Sequence, residues 1–303
     1  MFPRLPAARF SGHVAQMTTS AAPSIANQVE AAQSILQSPG AVAAKRLELA
    51  HAAASGAFVR AMAKLRPDSG ASSLEVMGGL AIQAGEGSPL TQGLAMGLNG
   101  PVTEADLDAM EAHLCPGRLA YRQLELCPYA DPSLPSLLAR RGYRVHEWQL
   151  IWERPVPTEP LAGSSAGLTV RRILAHEEEI FFRAVMAGFL ETEEVSEEAI
   201  AMMQPSAHAE HHELYLALLG DEPIGGATFA THQGVALING SGVRPQFRNR
   251  GAQGSLIRAR LNRARELGCD VATSATLPGT SSRRNMERHG FHVAYPKLVM
   301  AKD

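Results

Sequence analysis

Val235-Ala-Leu-Ile-Asn-Gly-Ser-Gly-Val243, Arg244-Pro-Gln-Phe247, Arg248-Asn-Arg-Gly-Ala-Gln-Gly254 and the run Ser255 to Leu267 decide how this chain is read. The first segment is a strand stopped by Pro245, the third a glycine-rich turn, and the last is helix-forming throughout. Strand, turn and helix in that order leave backbone N–H groups unpaired at a helix N-terminus, where the macrodipole favours negative charge. Main chain alone can hold a phosphate there. Gly251 lets the backbone approach an anion, and Arg248 and Arg250 add charge-assisted donors, each contributing about 1.5–3 kcal/mol when desolvated on a phosphate. The spacing fits neither the Gly-Lys-Ser/Thr nucleotide loop nor G-x-G-x-x-G.

The surrounding chain has 303 residues, 45% hydrophobic and 19% charged, with a net charge of -2, an ordinary globular composition long enough for two domains. No basic excess points to nucleic acid. Three cysteines, Cys115, Cys127 and Cys269, without metal-type spacing suit a reducing, cytoplasmic compartment rather than a disulfide framework. Residues 1–24 lack an apolar run of the length a signal peptide or membrane helix needs and read as a flexible arm, with Met17 as an alternative start. No later stretch is suited to a membrane.

Ile25 to Leu65 predicts two helices broken at Ser38-Pro39-Gly40. Strands follow at Ser73–Val76, Leu80–Ala84 and Gln92–Met96, then a helix capped by Thr103, a strand at Leu119–Leu126, a helix closed by Gly142, and a strand pair within Tyr143–Glu153. Pro155 to Gly167, rich in Pro, Gly and Ser, reads as a linker. Beyond it come a strand at Leu168–Ile173, helices at His176–Phe189 and Glu191–Met203, a hairpin of Glu213–Leu219 and Ile224–His232, the opening stretch, a strand at Asp270–Thr276, a helix at Ser281–His289 and a last strand. Leu138-Ala-Arg-Arg-Gly-Tyr-Arg-Val145 and Met286-Glu-Arg-His-Gly-Phe-His-Val293 echo each other as helix end, glycine cap and strand-opening aromatic.

Arg248-x-x-Gly251-x-Gln253-Gly254 resembles the acyl-CoA pyrophosphate loop, Arg/Gln-x-x-Gly-x-Gly/Ala, of the GNAT acetyltransferase superfamily, with Gln253 departing from the usual small residue. The element order is similar as well. The resemblance implies an α/β (α+β) protein of two tandem GNAT-like domains, each a mixed central sheet flanked by helices: residues 25–154 degenerate, 168–303 binding acyl-CoA. It implies acetyl-CoA as co-substrate, contacted by Val243, Arg248, Asn249, Arg250, Gly251, Ala252, Gln253, Gly254 and Asn285, the last touching the pantetheine arm, with Arg284 or Arg288 on the ribose phosphate. The first half has Gly97-Leu-Asn-Gly-Pro-Val-Thr103 at the corresponding place, without arginine and with a proline lacking its N–H, and is expected not to bind CoA.

Many members of that family place a tyrosine acid where Met286 stands here. The thiolate is then protonated by Ser281, Ser282, Tyr295 or water, leaves unaided, or the domain binds CoA without catalysis. Candidate bases are Glu194, with Glu191 and Glu193 beside it, and His232 at the hairpin. The run of arginines at 258, 263 and 265 reads as a solvated helix face, and His208, His211 and His212 as a polar turn rather than a zinc site, so no metal is expected. The reading is transfer of an acetyl group to a small-molecule amine. The alternatives are a CoA-binding sensor or partner-binding module, and acetylation of a protein or peptide amine. The first half would fill the place a second subunit takes in GNAT dimers, giving a monomeric pseudo-dimer, or else a homodimer.

Overall fold

The computed structural model describes residues 36–85, 88, 90–114, 122–163 and 167–302; the expected arm, and the first of the two expected helices up to Ile35, lie outside them. Ser38-Pro39-Gly40 is a helix start: the Ser38 hydroxyl accepts from the Ala41 N–H at 3.2 Å and Pro39 opens α1 (Pro39–Leu65). The first half continues with β1 (Ser72–Val76), β2 (Gly79–Gln83), β3 (Gln92–Leu94), α2 (Glu104–Leu114), β4 (Arg122–Leu126), α3 (Ser133–Arg140) and β5 (Arg144–Pro155). The second comprises β6 (Leu168–Arg172), α4 (Glu178–Leu190), α5 (Glu197–Met203), α6 (Pro205–His208), β7 (His212–Leu219), β8 (Glu222–His232), β9 (Val235–Leu237), β10 (Ser241–Val243), α7 (Ala252–Glu266), β11 (Val271–Thr276), α8 (Ser281–Arg288) and β12 (His292–Lys302).

The described strands form one 12-stranded sheet in the order β1-β2-β3-β4-β12-β5-β11-β9-β8-β7-β6, with β10 added on β8. The halves repeat an element order, yet their sheets are continuous. β5 lies between β11 and β12, and β12 between β4 and β5, all antiparallel. Each half thus places its last strand against the other half. This corrects the strand pair expected within Tyr143–Glu153: the segment is one 12-residue strand, because it contains no turn residue and both its neighbours come from the second half.

Helix α1 packs Leu47, Val59 and Met62 on one face of the sheet, over Ile82 and Leu94 of the first half and Val235 and Leu237 of the second. Further along that face α4 buries Phe181, Phe182 and Val185 against Leu214, Leu216 and Leu218. On the opposite face α7 and α8 press Leu256, Ile257, Leu261 and Met286 onto Trp152, Phe229 and Ala272. Beneath α1 the strand exchange buries charge. Lys297 of β12 sits between Glu48 of α1, with both oxygens at 3.3 Å, and Glu125 of β4, while Tyr295 donates to Glu48 at 2.8 Å. Lys297 and Glu48 are each 1% exposed, and burial raises the Glu48 pKa against the opposing pull of Lys297.

Residues 156–303 expressed alone are expected to remain unfolded by circular dichroism and to fold when residues 1–155 are co-expressed, because β11 and β12 lose the strand between them. Lys297→Met leaves two buried carboxylates without their cation; urea denaturation at neutral pH should register a loss of roughly 3–5 kcal/mol, most of it recovered by adding Glu48→Gln and Glu125→Gln.

Candidate active site

The single strand expected over Val235–Val243 is two, and the division shapes the site. β9 runs parallel to β11 as far as Leu237–Thr273, and the Ile238 N–H to Thr273 carbonyl bond of 3.1 Å is the last regular rung. β10 then pairs with Gly225–Ala227 of β8, while β11 continues alongside β5. A fork opens between β10 and β11. Bonds from Thr228 N–H to Gly240 and from Arg244 N–H to Ile224 fix the alternation, so even-numbered residues of β10 bond to β8. The N–H groups of Ser241 and Val243 face the fork.

One face of β10 is closed by α4 at very short range. A Cβ on Gly242 would lie 2.2 Å from the Val185 carbonyl oxygen, and one on Gly188 would lie 2.5 Å from the Val243 nitrogen. After β10 the chain turns through Pro245–Phe247, takes positive φ at Asn249 (62°) and Gly251 (84°), and enters α7 with no side-chain cap and no acid in its first turn. Ser255 N–H makes the first bond of the helix, to Gly251 at 3.0 Å. The N–H groups of Ala252, Gln253 and Gly254 are left for a ligand or solvent. Gly251 is exposed. Gly254 backs onto the His289 imidazole, 3.0 Å from where a Cβ would be.

The two arginines of the loop differ. Arg248 reaches back to the end of α4, donating to the Gly188 carbonyl and to Glu191, both at 3.0 Å. Arg250 makes no ion pair among the described residues and lies 5.6 Å from the Phe247 ring centroid. Arg244 holds Glu193 at 2.8 Å. The segment Glu191–Ser196, expected as the start of a helix, is therefore a loop stitched to Arg244 and Arg248 before α7, and α5 starts only after the Ser196 cap. In the first half the corresponding helix start is filled by its own side chains: Thr103 donates from its N–H and hydroxyl to Asp106 at 2.9 and 2.7 Å, and Val102 N–H donates to Ser133. Those bonds hold the Asp106 carboxyl below its usual range.

Glu194 is exposed in the α4–α5 loop, and its carboxylate has no partner among the described residues. Ser282 is exposed in the first turn of α8, and Asn285 is half-buried one turn further on. Met286 points into the core at 3% exposure. Tyr295 is committed to Glu48 in the interior. His232 is not brought to the fork. It ends β8, seven residues beyond the Gly225 that pairs with Val243, a separation of about 23 Å at roughly 3.3 Å per residue of extended chain. It lines instead a cleft of about 940 Å³ between α1, the β1–β2 turn, His211 and His212. Among the described residues no group of three or more His, Cys, Asp or Glu is placed to hold a metal ion.

Three residues outside the expected set organise the fork. Asn239 sits at its apex: its side-chain oxygen accepts from Ser274 Oγ at 3.0 Å and Ala275 N–H at 3.2 Å. Arg260, fully buried, donates to the carbonyls of Thr228 (2.8 Å) and Asn239 (3.0 Å), to Leu256 and to Ser241 Oγ. Burial pushes its pKa down to about 9, leaving it charged at neutral pH. His51, from α1 of the first half, faces the Asn239 amide, and burial, with Lys297 nearby, pushes its pKa down to about 3. It is neutral at working pH. Asn239-Gly240 inside a strand pattern was the available signal for the break; nothing local marks His51. Arg263, expected on a solvated face, is paired with Glu213 at 2.8 Å.

Residues 173–291 match the model of the acetyltransferase (GNAT) family. That segment is a GNAT domain, and the chain as a whole has the tandem GNAT fold. It is similar to a GCN5-related N-acetyltransferase from Kribbella flavida, at 17% identity over 81% of this chain and 95% of that one, with a TM-score of 0.57. A tandem GNAT protein from the clavulanic acid biosynthesis pathway matches at 14% identity over 82% and 94%, with a TM-score of 0.55. The chain spans 64% of a GCN5-related N-acetyltransferase from Sphaerobacter thermophilus, at 22% identity over 66% of this chain and a TM-score of 0.48. No curated protein matches in sequence. No helix among the described residues is long and apolar enough to cross a membrane.

Gly242→Ala forces α4 away from β10. Chemical denaturation is expected to show a loss of about 1–3 kcal/mol, larger than for Gly268→Ala, where the added methyl meets open space and only the positive φ opposes it.

Proposed function

We propose that residues 168–303 bind acetyl-CoA and transfer its acetyl group to an amine of a small-molecule acceptor by direct attack, with residues 25–154 as the companion domain and 155–167 as the linker. The observation that carries this reading is an open fork in which the Val243 N–H faces the gap, leading straight to an exposed, uncapped helix N-terminus. Diphosphate would rest on the N–H groups of Gly251 to Gly254, with Arg250 and Arg248 on its oxygens. The pantetheine would follow the free edge of β10 past Asn285, as a strand partner would.

In the reaction the amine lone pair attacks the thioester carbon, the developing oxyanion takes the Val243 N–H, and the C–S bond breaks to release CoA thiolate. The amine loses its proton to Glu194, directly or through water; Glu191 and Glu193 are already engaged by arginines. Ser282, at the open first turn of α8, or water protonates the thiolate, a role neither the core-facing Met286 nor the buried Tyr295 fills. His232 has no role at this distance. The acidic α4–α5 loop favours a cationic acceptor, and α1 would wall its pocket. Because β5 and β12 already occupy the central positions of the sheet, the enzyme acts as a monomer, in the cytoplasm, where Cys127 and Cys269 remain free thiols.

Calorimetry with CoA tests the reading. Wild type should bind, Arg250→Ala should weaken binding by roughly 1.5–3 kcal/mol, about 10- to 150-fold, and Glu191→Gln, which frees Arg248, should tighten it. No CoA binding by the folded wild-type protein would sink the assignment. Release of thiol from acetyl-CoA across a panel of amines then separates an enzyme from a CoA-binding module.

A further inference from the structure

The fork depends on a substitution in the hydrogen-bond ladder. In a regular parallel pair a residue that donates to one partner accepts, through its own carbonyl, from the residue two further along. Ile238 donates to Thr273, so its carbonyl should take the Ala275 N–H. The Asn239 side-chain oxygen takes it instead, at 3.2 Å. The ladder stops there, and β10 is free to leave for β8. The Asn239 carbonyl is meanwhile pinned by Arg260 and by Thr228 Oγ1, both at 3.0 Å.

The orientation of the amide follows from its partners. Ala275 N–H is only a donor, so Oδ1 faces it and Nδ2 faces His51 Nδ1 at 3.4 Å. Nδ1 is then the acceptor, and the Nε2–H points to Thr273 Oγ1 at 3.4 Å. His51 is a first-half residue that sits at the root of the fork, touching β11 at Thr273 and, at the apex, Asn239, two residues before β10.

Resting on the reading above, we propose that His51 is a positioning residue for acyl transfer: through Asn239 it fixes the width of the β10–β11 fork and so places the Val243 N–H against the thioester oxygen. The first half takes part in the second half's chemistry by this contact. It acts on the polarisation of the bound carbonyl, whereas the CoA moiety is held by the α7 turn.

The test needs no acceptor. Acetyl-CoA labelled with carbon-13 at the carbonyl is bound to the full-length protein, and its stretching band is read by infrared difference spectroscopy, beside calorimetric affinity for CoA. In wild type the band should lie below that of acetyl-CoA in buffer. His51→Leu, which keeps volume but offers no acceptor, should lose most of that displacement while CoA affinity stays within about threefold. His51→Gln, whose side-chain oxygen can accept from Asn239, should restore it. Bands that coincide in wild type and His51→Leu, or equal loss in His51→Leu and His51→Gln, overturn the proposal while leaving the CoA assignment intact. Should His51→Leu not fold, Thr273→Val removes the partner of Nε2–H isosterically. Its band should move part of the way, and an unmoved band rejects the proposal. A wild-type protein that binds no acetyl-CoA removes the reading and this inference together.

Discussion

Main-chain pairing of β5 with β11 and of β12 with β4 is the constraint that the rest of the molecule obeys. A strand exchanged between two repeats cannot be satisfied by either repeat alone, since unpaired backbone groups in the middle of a sheet are costly and invite association. Exchange also sets what lies above the sheet. Because β5 and β12 sit side by side, α1 spans the seam and meets residues of both halves: Ile82 and Leu94 on one side, Val235 and Leu237 on the other. The Lys297–Glu48–Glu125 cluster belongs to the same arrangement. Its three charges come from β12, α1 and β4, so the pairing is complete only when both halves are in register.

The fork follows from a contest between side chain and main chain. Asn239 offers β11 an amide oxygen in place of a ladder carbonyl, and Arg260 collects the carbonyls that the departing strand would otherwise leave unsatisfied. A buried guanidinium with no carboxylate partner is unusual in an interior, since desolvation opposes it. Here its donors reach four oxygens, and the helix that carries it is the one whose N-terminus is left open. Shaping the fork and presenting an open N-terminus are thus tied through one helix.

What could be read from the sequence was local chemistry. The turn at Arg248–Gly254 and the helix after it depend on glycine and on neighbouring residues, and α7 begins at Ala252 as that chemistry dictates. The β7–β8 hairpin and the α8–Gly290 stop were legible for the same reason. The misreadings share a cause in sequence-distant partners. β5 was taken as two strands because its neighbours lie more than a hundred residues away. Glu191 and Glu193 read as free acids because their arginines are reached only in the folded chain. His232 belonged to the right strand, but strand length carries it to the far end. His51 carries no local mark at all, since a histidine in an alanine-rich helix looks the same whether it faces solvent or a seam.

The two halves set one architecture beside itself in two electrostatic states. At α7 the first turn has no acid and no side-chain cap, and three arginines precede it; at α2 the first turn carries Glu104 and Asp106, and Asp106 already occupies Thr103. An anion approaching α2 meets carboxylates, and the N–H groups of Val102, Thr103 and Asp106 are already bonded to side chains. A handful of residues therefore decides which helix start is left open and which is filled, without any change in strand order. The closed repeat is not thereby dispensable, because its contributions are geometric: β5 fills the centre of the sheet and α1 brings His51 to the apex of the other repeat's fork. Loss of an anion site costs the fold nothing when a carboxylate replaces the ligand, whereas loss of a central strand leaves two rows of backbone donors and acceptors unmet. That asymmetry accounts for a chain in which one repeat has an occupied helix start, the other an open one, and both have exchanged strands.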